Sequence, residues 1–217
     1  GRETVAPYAA AVDLIAAHGA LAVIDGAEFI YDGQEHAAEG YTFSADNDLY
    51  TEDFVTVTGA AAEAKAAGTD AGTYEMGLAE SQFTNNNKNF DKVIFNVTDG
   101  ALKINEREVT LTSADDTKVY DGTALTNADV TVGGDGFADG EGADYNVTGT
   151  QTEVGSSANA FTYTLKNGTK AANYDISKTE GTLEVTPVTD KVTVTITENS
   201  GSVVYNGSEQ KVEGYKV

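Results

Sequence analysis

Apolar and polar residues alternate along much of the chain in short runs, the period of a strand with one covered face. Such runs stand at 54–58, 93–97, 102–104, 109–112, 130–132, 161–165, 183–186 and 192–197. In the last of them every second residue is Thr, which predicts one buried and one solvated face. Clusters of Gly, Asn and Asp separate the runs, as at 85–87 and 133–142. Two segments read differently. The stretch 8–17 (YAAAVDLIAA) follows Pro7 and precedes Gly19, which predicts a short helix of about three turns. The stretch 60–67 (AAAEAKAA) has high helix propensity, a point settled only by comparing it with the rest of the chain.

That comparison shows a repeat. Three turn signatures recur, Tyr31-Asp32-Gly33, Tyr120-Asp121-Gly122 and Tyr205-Asn206-Gly207, spaced 89 and 85 residues apart. Asp-Gly and Asn-Gly accept the positive φ values of a tight turn, and each signature follows a β-prone stretch. Further landmarks return in order. Val57-Thr58-Gly59 recurs as Val147-Thr148-Gly149, Asn89-Phe90-Asp91 as Asn173-Tyr174-Asp175, and GALKI at 100–104 as GTLEV at 181–185.

The first and third signatures continue alike, as YDGQEHAAEGYTF and YNGSEQKVEGYKV, whereas the second continues as YDGTALTNADVTV. The chain therefore divides into a junction segment (1–19), a type A module (20–105), a type B module (106–187) and the opening of another type A module (188–217). By this alignment 60–67 matches 150–157 (TQTEVGSS), which is poorly helical, and an extended backbone is expected at both places. The expected fold class is all-β: tandem small antiparallel sandwiches of Ig-like character. A β-grasp-like module is the alternative, favoured if 60–67 is helical. Residues 188–217 supply about three strands, too few for a core of their own. They are expected to pack on module B or to pair with a neighbouring molecule's sheet edge.

Composition narrows the function. With 13 Lys and Arg against 35 Asp and Glu, the net charge is −22 and the pI about 4.1. Such a chain repels phosphate backbones and anionic lipid surfaces, so neither nucleic acid nor membrane is an expected partner. The longest apolar stretch, 8–23, is broken by Asp13, His18 and Gly19 and is too short to span a bilayer. No signal peptide is legible, and the chain is expected to begin inside a longer protein. There is no Cys, hence no disulfide, thiolate nucleophile or Cys-bound zinc, and two histidines, His18 and His36, do not make a multi-histidine site.

The acidic residues are the first candidates for chemistry. Asp135, Asp139, Glu141 and Asp144 crowd a Gly-rich loop whose composition suits calcium, although their spacing is not that of an EF-hand. Asp46, Asp48, Glu52 and Asp53 form a second acidic cluster. Carboxylate pairs suitable for glycoside hydrolysis are inevitable at this composition and therefore uninformative. His36 is replaced by Gln210 at the matching place of the third module, which speaks for a polar surface role and against a catalytic base. No catalytic residues are assigned. An intramolecular isopeptide bond would need Lys103 or Lys118 beside Asn89 or Asn173, yet Lys103 corresponds to Glu184 in the sister module. Tyr31, Tyr120 and Tyr205 offer faces for sugar stacking. Their recurrence at every module start argues instead for packing, with the hydroxyl bonded back to main chain, and Tyr41 and Tyr215 read alike.

Taken as a set, VYDGTALT (119–126), GDGFADGEG (134–142), GTQTEVGSSANAFTYTL (149–165), ANYDI (172–176) and EGTLEVTP (180–187) resemble the YDG-type repeats of Gram-positive surface proteins. In module A, AGTYEMGL (71–78), Asn89-Phe90 and DGALKI (99–104) are similar to the same repeats. They are described as mostly-β, Gly-rich (MBG) modules of large, cell-wall-anchored, adhesin-like proteins. The resemblance covers 20–217 and implies an extracellular, cell wall-attached location and a non-enzymatic stalk or spacer with weak multivalent adhesion. The partners it implies are a host glycan, mucin or matrix protein, besides neighbouring repeat modules. Two other roles are compatible with it, a specific glycan-, mucin- or matrix-binding adhesin module and an accessory region of an extracellular carbohydrate-active enzyme. The family has no agreed ligand, so it assigns no ligand-binding residues. Asn206 departs from the signature where the family has Asp.

Overall fold

Alternation along the chain becomes alternation of burial across short sheets. In a computed structural model, residues 20–23 and 27–217 are described. The helix expected at 8–17 and His18 lie outside them. Module A contains β1 (Ala20–Val23), β2 (Ala27–Ile30), β3 (His36–Glu39), β4 (Thr42–Ala45) and β5 (Val55–Val57). A single helical turn, α1 (Ala60–Glu63), leads into β6 (Lys65–Gly68), β7 (Gly72–Glu75), β8 (Phe83–Asn85), β9 (Phe95–Val97) and β10 (Ala101–Asn105). Module B contains β11 (Arg107–Ser113), β12 (Asp116–Val119), β13 (Val130–Gly134) and β14 (Ala143–Val147), then β15 (Gly155–Ala158), β16 (Phe161–Leu165), β17 (Tyr174–Thr179) and β18 (Thr182–Thr186). The final segment holds only β19 (Thr197–Glu198) and β20 (Tyr215–Lys216).

The segments 20–105 and 106–187 share a pairing pattern. In module A the opening strand β1 pairs antiparallel with β4 and parallel with β9; in module B, β11 pairs antiparallel with β13 and parallel with β17. The second strands do the same. β2 and β12 run parallel to the closing strands β10 and β18, which pair antiparallel with β7 and β15. A third pair, β5–β8 or β14–β16, is antiparallel in both. The fold is all-β and sandwich-like, built from small sheets that are mostly antiparallel. The parallel pairs tie the start of each module to its end, so a module closes only when its last two strands are in place.

Burial follows the pleat. Leu102 and Ile104 of β10, Val109 and Leu111 of β11, and Leu183 and Val185 of β18 are all but inaccessible. Each contributes about 1.5–3 kcal/mol by leaving water. Gly181, one of the repeat landmarks, is needed for closure: a Cβ there would lie 2.5 Å from the carbonyl oxygens of Ser113 and Ala114.

Three expectations are corrected. Residues 60–67 are not extended throughout: the amide of Ala64 donates to the carbonyl of Ala60, closing one helical turn before β6 begins. Helix propensity wins locally because Ala61, Ala64 and Ala66 are small enough to be buried there. Four residues do not make the crossover helix that a β-grasp module requires. The run 192–197 does not form a strand with one covered face; it pairs only at Thr197, and Val192, Val194 and Ile196 are exposed. Nor does 188–217 pack on module B, since every residue from 187 onward is exposed. Its one ladder keeps the register of β1–β4: the pair Thr197–Lys216 lies 174 residues on from Val23–Thr42, and among the described residues no strand outside the segment pairs with it.

Candidate functional site

The three signatures share one turn. The side-chain oxygen Oδ1 of Asp32, Asp121 or Asn206 accepts the amide N–H two residues on, from Gln34 at 2.8 Å, Thr123 at 2.9 Å or Ser208 at 3.1 Å. This requirement is for an oxygen rather than a charge, which is why Asn206 serves where Asp is usual. The glycines Gly33, Gly122 and Gly207 all have φ near +80°. A second donor reaches the same oxygen: His36 Nε2 at 2.9 Å in the first turn, Gln210 Nε2 at 2.9 Å in the third, and Lys118 Nζ at 2.8 Å in the second. His36 and Gln210 are thus interchangeable as donors, and His36 also stacks on Phe29 with ring centroids 4.2 Å apart. The Lys118 ammonium beside Asp121, helped by Thr123, holds that carboxyl well below the usual carboxylate range. Burial opposes the charge on Asp32, but the Gln34 amide and His36 outweigh it and keep its pKa low.

The three tyrosines that open these turns sit in different surroundings. Tyr205 is 90% exposed and Tyr120 is 36% exposed, whereas Tyr31 is 4% exposed. Tyr31 is covered by module B. Its hydroxyl donates to Glu141 Oε1 at 2.5 Å, and its ring meets that of Tyr174 edge-on at 5.4 Å. Tyr174 donates to the other carboxylate oxygen of Glu141 at 2.9 Å, so both oxygens face tyrosine hydroxyls. Tyr31 therefore packs, as its recurrence suggests, but its hydroxyl bonds a carboxylate across the module boundary and not its own main chain. Burial and the adjacent Glu141 raise the pKa of Tyr31; burial chiefly, with Glu141, pushes that of Tyr174 up to about 12.

Further bonds span the same boundary. Arg107, at the start of β11, donates from Nη1 to the carbonyl of Tyr31 across it, while Nε and Nη2 hold the carbonyls of Gly136 and Asp135 in its own module. Asn173, fully buried, donates to Asp70 Oδ1 at 3.0 Å and accepts the Ala71 amide at 2.8 Å. Lys170 reaches Asp70 Oδ2 at 2.6 Å, and that ammonium, with Asn173, lowers the Asp70 pKa. Tyr31, Leu102 and Ile104 belong to the same apolar cluster as Val109, Ala138, Phe161 and Tyr174, so one core runs through both modules.

No family model, curated protein or solved structure matches this chain.

The proposed calcium ligands are not brought together. Glu141 is turned toward the tyrosines, Asp144 lies 4.0 Å from Lys166, and Asp135, Asp139 and Asp144 are exposed. Asp135 bonds through its carbonyl, to Arg107. Asp46, Asp48, Glu52 and Asp53 are likewise exposed, on the loop between β4 and β5 that corresponds to the β13–β14 loop. Among the described residues no group of three or more His, Cys, Asp or Glu is placed to hold a metal. The isopeptide partners are also apart: Lys103 pairs with Glu28, Lys118 with Asp121, Asn173 with Asp70, and Asn89 sits in a turn, its amide donating to Asn87. An open groove of about 420 Å³ lies between β7 and the start of module B, walled by Gly72, Lys103, Asn105, Glu106, Glu108 and Asp175. No aromatic ring lines it. Among the described residues no helix is long and apolar enough to cross a membrane.

The sequence marks Tyr31 and Glu141 but does not pair them. Asp70, Arg107 and Lys170 carry no sequence signal as joint residues. Asn173 does carry one, its place in a repeated Asn-aromatic-Asp landmark, although that pattern reads equally well as a turn.

Proposed function

We propose that the chain is a non-enzymatic spacer in a bacterial cell-surface protein, a series of β-modules locked end to end. In this reading it holds a distal region away from the cell wall and adds weak, multivalent adhesion. The observation that carries it is the Tyr31–Glu141–Tyr174 joint, which spends the most specific residues of the repeat on holding one module to the next. The unbroken core across the boundary supports stiffness, because domains flex freely only where their interface is small and polar. The resemblance to YDG-type modules supplies the extracellular, wall-attached location. High negative charge suits this role, since like-charged carboxylates keep exposed strand edges of neighbouring stalks from pairing.

Binding assays separate this role from that of a specific adhesin. The intact chain as a monomer is expected to show no saturable binding on surfaces coated with glycans, mucin or matrix protein. Beads carrying many copies are expected to adhere, by avidity alone. Saturable monomer binding to one ligand would overturn the spacer reading.

A further inference from the structure

The donor device at the outgoing end of module A is present again on module B, and it is undocked. Tyr31 N–H donates to the carbonyl of Asn105, the last residue of β10, and Tyr120 N–H donates to that of Thr186, the last residue of β18. Each signature turn therefore sits at the outgoing end of its module, beside the residue where the next module starts. The turns are alike in backbone, with φ +80° at Gly33 and +81° at Gly122. The second is already fixed by the bonds of Asp121 to Thr123 and Lys118, so little ordering remains to be lost on docking. The difference between them is cover. Tyr31 is 4% exposed against module B, while Tyr120 is 36% exposed and Val119 and Val154 are 56% and 52% exposed.

The receiving end can also be recognised. On module B it is the loop from β13 to β14, with Ala138 and Glu141, backed by the ring of Tyr174. Module A has the same loop between β4 and β5, carrying Asp53 beside Glu52, whose carboxylate already meets the Tyr41 hydroxyl of its own module, and backed by Phe90 and Tyr50 edge-on at 5.0 Å. The order of the sequence says which module comes after B: residues 188–217 repeat the opening of type A, and β19–β20 stand in the register of β1–β4. Those residues are themselves exposed and leave Tyr120 uncovered.

We propose that the Tyr120-Asp121-Gly122 turn is a docking surface for the receiving end of a type A module, and that in this chain the occupant is the 46–54 loop and Phe90 face of a second copy. The inference rests on the spacer reading and extends it: the same joint that locks A onto B also locks B onto A. Between separate molecules the contact is heterologous, outgoing end to receiving end, so it grows open head-to-tail chains and does not close into a two-fold dimer. It is weak in solution, because within a continuous stalk the linked modules meet at millimolar effective concentration and need no greater affinity.

The test is a concentration series of amide spectra of the intact isotope-labelled chain, from about 20 μM to about 1 mM. Concentration-dependent shifts are expected at Val119, Tyr120, Asp121 and Gly122 and, on the other face, at 46–54 and Phe90. Tyr120→Ala is expected to weaken the association at least about tenfold, the effect of losing an aromatic anchor. Because Tyr120→Ala also touches the end of module B, the Asp53→Asn variant, which leaves the Glu52 contact with Tyr41 intact, provides the second reading and is expected to weaken it likewise. Tyr205→Ala is expected to leave it unchanged. Shifts absent at 1 mM, shifts that map instead to 188–217, or an association indifferent to both variants would overturn the proposal. None of those outcomes touches the Tyr31 joint, which is read within one molecule.

Discussion

Tyr31 and Tyr205 are the same residue of the repeat in two surroundings, and their contrast gives the sharpest predictions about single side chains. Tyr31→Phe removes the hydroxyl that meets Glu141 and is expected to cost about 1.5–3 kcal/mol, the range for a bond to a charged partner, read as a lowered urea midpoint. Tyr205→Phe, at a 90% exposed position, is expected to stay within about 0.5 kcal/mol. The aspartate of the signature obeys a different rule. Asp32→Asn keeps the oxygen that accepts the Gln34 amide, as Asn206 does for Ser208, and is expected to be nearly neutral. Asp32→Ala loses that acceptor and is expected to cost about 1 kcal/mol. Sequence shows that these positions matter to the module and which residues share a role. It does not show that Glu141, 110 residues from Tyr31, is the partner, because a carboxylate among 35 looks the same whether it faces water or a tyrosine.

The strands are legible where pattern and packing agree. The run 161–165 is β16 at both ends, and 109–112, 130–132 and 183–186 lie inside β11, β13 and β18. Strands such as β3, β6 and β15 escape the pattern, since HAAE, KAAG and GSSA carry little β propensity and are held by pairing to their neighbours. The run 192–197 fails in the opposite sense: its pattern is that of a strand, but a strand needs neighbours, and the closing pair that flanks β1 and β2 has no counterpart beside it. At this scale Glu141 of the β13–β14 loop is an acceptor for two tyrosines. Asp139→Asn and Asp144→Asn are expected to leave thermal stability unchanged with or without calcium, while Glu141→Gln lowers it, as differential scanning fluorimetry would report. The joint also carries a pH signature. Tyr31 and Tyr174 hold their protons more tightly folded than unfolded, so their stabilisation is complete below about pH 10 and is lost as pH rises through the raised pKa of each, about 12 for Tyr174. Asp70 has the opposite sign: its pKa is lowered by Lys170 and Asn173, so its contribution is present above about pH 4 and is lost as pH falls. Tyrosine absorbance against pH, followed alongside the unfolding midpoint, checks both limits.

For the molecule as a whole, strand pairing and a shared apolar cluster hold together a chain with charge −22 and no Cys. Every ladder among the described residues lies within 20–105, 106–187 or 188–217, so pairing builds the modules, and side chains join them. That division of labour makes the joint separable from the fold: a variant can free one module from the other while both keep their strands. The spacer reading depends on the joint being closed in solution. Residual dipolar couplings of the backbone amides, measured on the intact chain in a weakly aligned medium, test this directly. One alignment tensor is expected to fit the couplings of β5 to β10 together with those of β11 to β18, and Tyr31→Ala is expected to split the fit in two. Two independent tensors in the unaltered chain would mean that the modules reorient freely, and would contradict the account.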